Sequence, residues 1–271
     1  MPIGRPAFPS DLADVARAIA ARGLAIGHPL EFRELTTSTN DDAKAAARDG
    51  AVHGTTFLAE AQTGGRGRQG RAWIAVRGES LLVSVLLRAK VPLARVPPVA
   101  LVAGLAVRDA VAKAAPEAVV AVKWPNDVLV DGRKVAGILV ESTTAGNELQ
   151  GIVVGFGINV HTRSFPDGLA DTATSVALAT RSPPDRAAIL VDVLAGLDRD
   201  VAHVLHRGLG LVHARLRAAD GLVGRRVKSD LGEGTADGID VDGRLVVVGD
   251  DGTRMRWSSG EVHLAKVPPV A

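Results

Sequence analysis

Residues 63–73, TGGRGRQGRAW, combine backbone freedom with positive charge: four glycines and three arginines precede Trp73. Ordering each glycine costs about 0.5–1 kcal/mol more than ordering alanine, whereas a hydrogen bond to a charged group contributes about 1.5–3 kcal/mol. Two or three such bonds to a ligand would offset that cost. The stretch therefore fits a loop that closes over an anionic ligand, and the alternative is a solvated loop between two strands.

The same stretch spells G-x-G-x-x-G through Gly65, Gly67 and Gly70. A dinucleotide-binding loop must open a helix whose N-terminus holds the pyrophosphate. Here RAWIAVRGESLLVSVLL follows, which has the composition of strands. The sequence therefore argues against dinucleotide binding, and the Walker pattern does not occur in it.

A second polar cluster lies in KWPNDVLVDGRKVAGILVE, residues 123–141. Lys123, Asn126 and Asp127 gather at the end of a predicted strand. A tight hairpin turn, predicted at Asp131–Gly132, returns Lys134 toward them. Two lysines with a carboxamide and a carboxylate suit phosphate groups and a hydrated Mg²⁺ ion. The alternative is ordinary polar decoration of a hairpin.

Two further segments could contact a ligand. Residues 38–40, Ser-Thr-Asn, precede an alanine-rich helix and fit either a helix cap or a polar binding group. Residues 155–159, GFGIN, carry glycines near a strand end, and Gly137 interrupts another apolar strand. Glycine in a strand marks a bulge or the close approach of a backbone or ligand.

Bulk composition excludes several classes of protein. The 271 residues are 46% hydrophobic with a formal net charge of only +2, so no large basic field favours nucleic acid. The lack of cysteine excludes disulfides, thiolate zinc sites and cysteine catalysis. Neither a membrane-length apolar run nor an apolar signal core is visible, so we expect a cytoplasmic protein without membrane contact.

Hydrophobic periodicity predicts a mixed α+β domain followed by a small β domain. Helices are expected in 10–22, 36–50, 97–115 and 185–206, and strands in 29–35, 55–62, 80–88, 119–127, 128–141 and 149–160. Short alternating strands with Gly/Asp turns begin near residue 221. The expected divisions are an N-terminal helix and linker (1–30), a sheet domain (31–218), a small β domain (219–267) and a tail (268–271).

In this order, five segments resemble those of biotin protein ligases: TSTN (37–40), Gln62 through Trp73, KWPND (123–127), GRKVAGILVE (132–141) and GFGIN (155–159). The resemblance covers about residues 30–265. It implies a mixed β-sheet flanked by helices, of the class II aminoacyl-tRNA synthetase/biotin ligase type, with a C-terminal SH3-like barrel. It also implies that biotin and MgATP form biotinyl-5′-AMP, and that a lysine of a biotin carboxyl carrier domain then accepts the biotin.

The resemblance also implies roles for single residues. Biotin would be bound by Ser38, Thr39, Asn40, Gln62, Gly65, Arg66, Gly67, Arg68, Lys134, Gly137, Gly155 and Gly157. ATP would be bound by Arg68, Arg71, Trp73, Lys123, Asn126, Asp127, Lys134 and Asn159. Lys134 and Arg68 would contact the reacting phosphate. Asp127 would orient or deprotonate the acceptor lysine, and Asn126 with Asp127 would hold Mg²⁺. In this family the Gly/Arg loop is a lid that shields the adenylate from water.

Only about 30 residues precede the ligase pattern, so the resemblance implies the monofunctional type, without operator DNA binding, as a monomer or homodimer. Gly64 and Gln69 replace the alanine and the basic residue frequent in the family, which predicts a softer lid. Two alternatives stay open: a lipoate–protein ligase or octanoyl transferase of the same fold, and an RNA-binding module, against which the balanced charge argues.

Overall fold

A seven-stranded mixed sheet forms the centre of the computed structural model, which describes residues 7–146 and 148–264. Its strands are β1 (Leu30–Arg33), β2 (Thr56–Ala59), β3 (Ser80–Leu87), β4 (Val120–Lys123), β5 (Asp127–Val130), β6 (Arg133–Ala145) and β7 (Glu148–Asn159). Their spatial order is β1-β2-β3-β7-β6-β5-β4. Among these strands, as far as residues 7–146 and 148–264 describe them, only β1 and β2 pair in parallel, so the mixed sheet expected from the sequence is confirmed.

Local sequence accounts for the two features of the sheet that shape the site. Every residue of β3 is buried, as expected of a continuous apolar strand covered on both faces. The hairpin between β5 and β6 turns at Asp131 and Gly132, whose φ angles are 48° and 80°. A two-residue turn with both φ angles positive matches the twist of the flanking strands, and it carries Lys134 back along β5.

Helices cover both faces of the sheet. They are α1 (Val15–Ala21), α2 (Thr39–Arg48), α3 (Val99–Ala114), α4 (Val176–Ala179), α5 (Arg186–Arg207) and α6 (His213–Ala219), with single 3-10 turns at Ser10–Leu12, Arg68–Gly70 and Leu93–Arg95. The α3–α5 pair packs against Val85 and Leu87, whereas α2 packs against Leu86. Alternate residues of β3 thus face opposite layers, as strand geometry requires.

The C-terminal strands form a second, wholly antiparallel sheet. They are β8 (Arg226–Ser229), β9 (Gly232–Ile239), β10 (Leu245–Val248), β11 (Arg254–Trp257) and β12 (His263–Leu264), in the order β11-β10-β9-β8-β12. The predicted small β domain is confirmed. Within residues 7–146 and 148–264 no ladder joins β11 to β12, so the expected barrel appears as a five-stranded sheet.

This small sheet is joined to the larger domain by a shared core. Trp257 and Leu245 pack in one cluster with Leu101 of α3 and with Trp124, which is 2% exposed. The Trp124 indole also donates a hydrogen bond of 2.9 Å to the Gly243 carbonyl. Since Trp124 belongs to the predicted phosphate-binding segment, the small domain lies directly behind that segment.

Two helices were not predicted from the sequence, and a third was predicted as one continuous helix. Neither α4 nor α6 was predicted, because each is short and buries its apolar residues mainly against distant parts of the chain. The helix expected over residues 10–22 is a 3-10 turn followed by α1. The division of the chain into 1–30, 31–218 and 219–267 stays a prediction. Residues 1–6, residues 265–267 of the small domain and the tail at 268–271 lie outside the described residues.

In the part of the chain that the structure describes, none of the helices combines the length and apolar character needed to cross a membrane.

Candidate active site

The Gly/Arg loop, residues 63–73, lies between β2 and β3 and folds back on itself. The Trp73 amide donates to the Gly65 carbonyl at 2.9 Å, and the Gly67 amide donates to the Arg71 carbonyl at 2.7 Å. Gln69, at the tip, has a φ of 56°, an uncommon conformation for a residue with a side chain. These bonds make the loop a narrow flap whose arginines project from it.

Two arginines connect the flap to separate parts of the protein. Arg68 donates at 3.3 Å to both the Asn126 side-chain oxygen and the Gly260 carbonyl. Arg71 forms an ion pair of 2.5 Å with Glu261, in the segment leading to β12. The flap therefore bridges the phosphate-binding segment predicted from the sequence and the C-terminal sheet.

The third arginine, Arg66, pairs with α2. Its two terminal nitrogens donate to the two carboxylate oxygens of Asp41 at 2.9 and 2.6 Å. This fork-to-fork geometry is the strongest arrangement available to an arginine–carboxylate pair. The two arginine hydrogen bonds and the desolvation that opposes them leave the pKa of Asp41 at about 2.

Polar side chains meet at the N-terminus of α2. Ser38 is the N-cap residue, and its hydroxyl makes no capping bond. The Gln62 side-chain oxygen Oε1 instead accepts from the Thr39 backbone amide at 2.7 Å and lies 3.2 Å from the Thr39 hydroxyl. Ser84 lies below them, with its hydroxyl 2.5 Å from Asn40 Oδ1 and 2.7 Å from Thr39 Oγ1. Sequence reasoning missed Ser84; its signal was a serine flanked by two valines in the middle of β3.

Glycines of β6 and β7 form the floor beneath the flap. A Cβ atom at Gly157 would lie 2.4 Å from the Trp73 ring, and one at Gly137 would lie 3.1 Å from it. At Gly155 the space is taken by Asn40, whose Oδ1 would be 2.1 Å from a Cβ atom. Gly155 therefore accommodates a protein side chain, whereas Gly137 and Gly157 accommodate the flat indole.

The indole leaves little free space. The inner cavity, as we call this space, measures about 50 Å³ and is lined by Ser38, Thr39, Asn40, Gln62, Arg66, Gly67, Trp73, Lys134, Gly137, Gly155 and Gly157, together with Leu82, Val83, Ile138, Leu139 and Phe156. The buried Trp73 Nε1 has no hydrogen-bond partner among the described residues. The indole thus fills an apolar slot without satisfying its own polar atom.

Lys134 lies where the inner cavity opens outward. Its ammonium nitrogen is 2.7 Å from an Asp127 carboxylate oxygen and 5.7 Å from the Trp73 ring centroid. Lys123 is directly opposite Asp127 in the β4–β5 ladder. Burial lowers the pKa of Lys123, and the nearby Asp127 and Glu261 carboxylates oppose that effect. The two lysines and Arg71 outnumber the two carboxylates, so this corner is cationic.

Beyond Lys134 the space widens into what we call the outer groove, of about 520 Å³. The predicted residues that line it are Gly67, Arg68, Arg71, Trp73, Lys123, Asn126, Asp127, Lys134 and Asn159. Gly67, Trp73 and Lys134 line both spaces. Every site residue predicted from the sequence therefore lines one of two adjacent spaces, except Gly65, whose backbone closes the base of the flap.

Two asparagines are held by backbone carbonyls at the edge of the outer groove. The Asn126 amide donates to Ile138 at 2.8 Å, and the buried Asn159 amide donates to Thr174 at 3.1 Å. No cluster of three or more His, Cys, Asp or Glu side chains suited to a metal occurs within residues 7–146 and 148–264. The donors at the predicted Mg²⁺ position are thus one carboxylate and one carboxamide oxygen.

Comparisons with known proteins agree with this architecture. Family profiles match residues 33–159 ("Biotin/lipoate A/B protein ligase family") and residues 223–264 ("Biotin protein ligase C terminal domain"). The chain is similar to the biotin–[acetyl-CoA-carboxylase] ligase of Mycobacterium tuberculosis, with 38% identity over 240 residues covering 84% of this chain and 86% of that protein. It is 30% identical to the bifunctional ligase/repressor BirA of Bacillus subtilis over 240 residues, covering 86% and 74% of the two chains.

Among solved structures, the chain is similar to the biotin protein ligase from Aquifex aeolicus in complex with biotin and ATP. The TM-score is 0.74 at 28% identity, and the match covers 89% of this chain and all of that one. The sequence relatives and this structural neighbour agree on the same fold over the same span. The chain belongs to the biotin protein ligase family.

Proposed function

We propose that the chain is a biotin–protein ligase. It activates biotin with ATP to biotinyl-5′-AMP and transfers the biotinyl group to a lysine of a biotin carboxyl carrier domain. One observation carries the proposal. The inner cavity, which is apolar with one polar end, lies next to the outer groove at Lys134, and the cationic flap covers both. The ligase relatives and the neighbour with bound biotin and ATP support this reading over lipoate or octanoate transfer.

The ureido ring of biotin suits the polar end of the inner cavity. The Ser38 hydroxyl and the groups of Thr39 and Gln62 offer donors and acceptors for its carbonyl oxygen and amide hydrogens. Asn40 already has protein partners at both amide atoms, since Ser84 bonds its oxygen and Glu141 accepts from its nitrogen at 2.7 Å. Asn40 therefore positions the polar end rather than binding biotin directly.

The apolar part of biotin takes the slot now filled by the indole. The indole ring lies so close to the floor that added Cβ atoms at Gly157 and Gly137 would be 2.4 and 3.1 Å from it. The indole of Trp73 must therefore turn away from Gly137 and Gly157 when the bicyclic ring enters. Trp73 belongs to the flap, whose glycine-rich backbone allows this movement. The outer groove beside the flap has room for the displaced indole.

In the first step, a biotin carboxylate oxygen attacks the α-phosphorus of ATP. The bond from that phosphorus to the oxygen bridging the β-phosphate breaks, and pyrophosphate leaves. Lys134 lies at the junction of the two spaces and Arg68 at the rim of the outer groove, where their charges balance the negative charge that builds on the phosphate. Arg71 and Lys123 add positive charge along the groove.

In the second step, the acceptor lysine amine attacks the carbonyl carbon of biotinyl-5′-AMP. The bond from that carbon to the phosphate oxygen breaks, AMP leaves, and the amine loses a proton. Asp127 is the carboxylate in the outer groove closest to Lys134, at 2.7 Å. We assign it the orientation of the incoming amine and the acceptance of its proton.

The donor set at Asn126 and Asp127 fits Mg²⁺. This ion keeps several waters and is usually held by one or two carboxylates together with substrate phosphates. Asp127 would supply the carboxylate and Asn126 Oδ1 a neutral oxygen, once Lys134 and Arg68 turn to the phosphates. When bound, the ion supplies charge neutralisation on the pyrophosphate.

On this proposal the chain acts in the cytoplasm, where ATP and the carrier domain are available. Its assembly as a monomer or homodimer stays a prediction that light scattering would test. The expected lack of operator DNA binding likewise stays a prediction, which a gel-shift measurement would test.

The function is tested by mixing the chain with ATP, Mg²⁺ and a carrier domain, adding biotin, lipoate or octanoate in separate reactions, and weighing the carrier. We expect a mass increase with biotin alone. An increase only with lipoate or octanoate would assign the alternative activity of the same fold. Salt-sensitive RNA binding without ATP turnover would instead indicate an RNA-binding module.

The lid role of the flap has a separate test. Arg68→Gly removes the contacts to Asn126 and Gly260, so we expect faster release of biotinyl-5′-AMP into solution. The measurement is the fraction of labelled adenylate that stays with the protein after gel filtration. Retention equal to that of the unmodified chain would contradict the lid role.

A further inference from the structure

Asp41 connects the flap to the helix that carries the polar end of the inner cavity. It lies in the first turn of α2, two residues after Thr39, and both its carboxylate oxygens bond to Arg66. Arg66 lines the inner cavity, whereas Asp41 is not among the lining residues. Asp41 therefore touches the cavity only through the guanidinium that it holds.

Further charged groups extend this pair into a chain. Lys44, one turn along α2, lies 3.0 Å from Asp41 Oδ1 and 2.8 Å from Glu141 Oε1 on β6. The other Glu141 oxygen accepts from the Asn40 amide at 2.7 Å. Flap, helix and sheet are thus joined by one sequence of charge-assisted bonds, Arg66–Asp41–Lys44–Glu141–Asn40.

The flap needs such an anchor at this point. Arg66 is flanked by Gly65 and Gly67, so its own backbone does little to fix the guanidinium. Pairing with Asp41 uses two of the five guanidinium hydrogens and leaves the others free for a ligand carboxylate or phosphate. A guanidinium held by a fixed carboxylate reaches the ligand already oriented, and less conformational freedom is then lost on binding.

We propose that Asp41 is a positioning residue for the ligase reaction, which presents Arg66 to biotin and latches the closed flap over biotinyl-5′-AMP. This inference rests on the proposed function. It assigns a role to a residue that neither touches the substrates nor belongs to the site recognised from the sequence.

The first test compares Asp41→Asn with Asp42→Asn. Asp42 lies in the same helical turn and carries the same charge, and it forms no ion pair within residues 7–146 and 148–264. Both variants lose one negative charge in the first turn of α2, and Asp42→Asn breaks no bond at Asp42 Oδ2, which is buried without a hydrogen-bond partner among the described residues. Only Asp41→Asn loses the latch, so we expect it alone to release biotinyl-5′-AMP and raise the KM for biotin, each about three- to fivefold. The KM for ATP should stay unchanged in both.

The second test asks whether Asp41 acts through Arg66. In an Arg66→Ala background, Asp41→Asn should change the release rate by less than about 1.5-fold, since residues that act together give non-additive effects. Asp41→Glu, which keeps the carboxylate, should recover part of the retention. A purely structural role would instead lower the melting temperature and slow both half-reactions by the same factor in either background.

The outcomes separate the latch from the function itself. If the unmodified chain makes no biotinyl-5′-AMP, the proposed function fails. If it makes the adenylate and Asp41→Asn retains it as well as Asp42→Asn does, the function stands and the latch is refuted. Longer retention by Asp41→Asn would also overturn the proposal, because Asp41 would then hold Arg66 away from the substrate.

Discussion

Replacing Gly157 with alanine would place a methyl group in the narrowest part of the inner cavity. The added Cβ would lie 2.4 Å from Trp73 Cε2 and 2.7 Å from both Cζ2 and Nε1, well inside contact distance. Gly157 lies within β7 at a backbone conformation that any residue adopts, so the substitution acts through steric overlap alone. The indole must move, and so must any flat ring bound in its place.

The size of the effect follows from the overlap. Forcing one extra methyl group into a well-packed site costs about 1–3 kcal/mol, which corresponds to a rise in the biotin Kd of about 5- to 140-fold. The folded state should lose much less, because Trp73 belongs to the flap and can swing into the outer groove. We expect the melting temperature to fall by less than about 4 °C. Titration calorimetry with biotin, together with a melting curve, measures both quantities.

Two other glycines serve as controls. At Gly104, on α3, the nearest atom to an added Cβ is 3.7 Å away, so Gly104→Ala should leave the biotin Kd and the fold intact. At Gly155 the added Cβ would lie 2.1 Å from Asn40 Oδ1, so Gly155→Ala should lower stability and affinity together. If folded Gly157→Ala binds biotin within twofold of the unmodified Kd, the slot is not the ring site and the reasoning is wrong.

Three further predictions concern the charges and the indole. Lys134→Ala should slow pyrophosphate release about 100- to 1000-fold with the fold intact; near-normal release would exclude its role. Biotin should change the tryptophan emission, and Trp73→Phe should abolish the change, because Trp124 and Trp257 are each 2% exposed in the core. The pKa of Asp41, about 2, lies below its unfolded value. Its stabilising effect is therefore complete above about pH 4 and is lost as the pH falls toward 2, so Asp41→Asn should show a flatter melting temperature across that window.

Sequence reasoning was most reliable where the chemistry is local. The Asp131–Gly132 turn, the Leu- and Val-rich β3 and the glycine that closes α2 follow from residue types within a few positions, and the structure has each of them. The two cationic clusters were also visible as separate segments. The residues alone did not establish that these clusters face each other; that expectation came from the resemblance to biotin protein ligases.

Contacts across long separations could not be read from the sequence. The helix α2 is capped by Gln62, 23 residues from Thr39, rather than by its own Ser38. At Gly155 an added Cβ would lie 2.1 Å from Asn40 Oδ1, so this glycine makes room for a side chain 115 positions away. Each outcome depends on which distant side chains the tertiary fold brings into contact. The local spacing of residues carries no information about such contacts.

By itself, the sequence determined the strands, most of the helices, the soft cationic loop and the supply of lysines for phosphate chemistry. These properties follow from backbone preferences and side-chain charge, which act over a few residues. Only the tertiary structure decided how the loop is held, because Arg66 pairs with a residue 25 positions away and Arg71 with one 190 positions away. It also decided that the Trp73 indole takes the slot over Gly157, since packing selects among side chains that sequence order keeps apart.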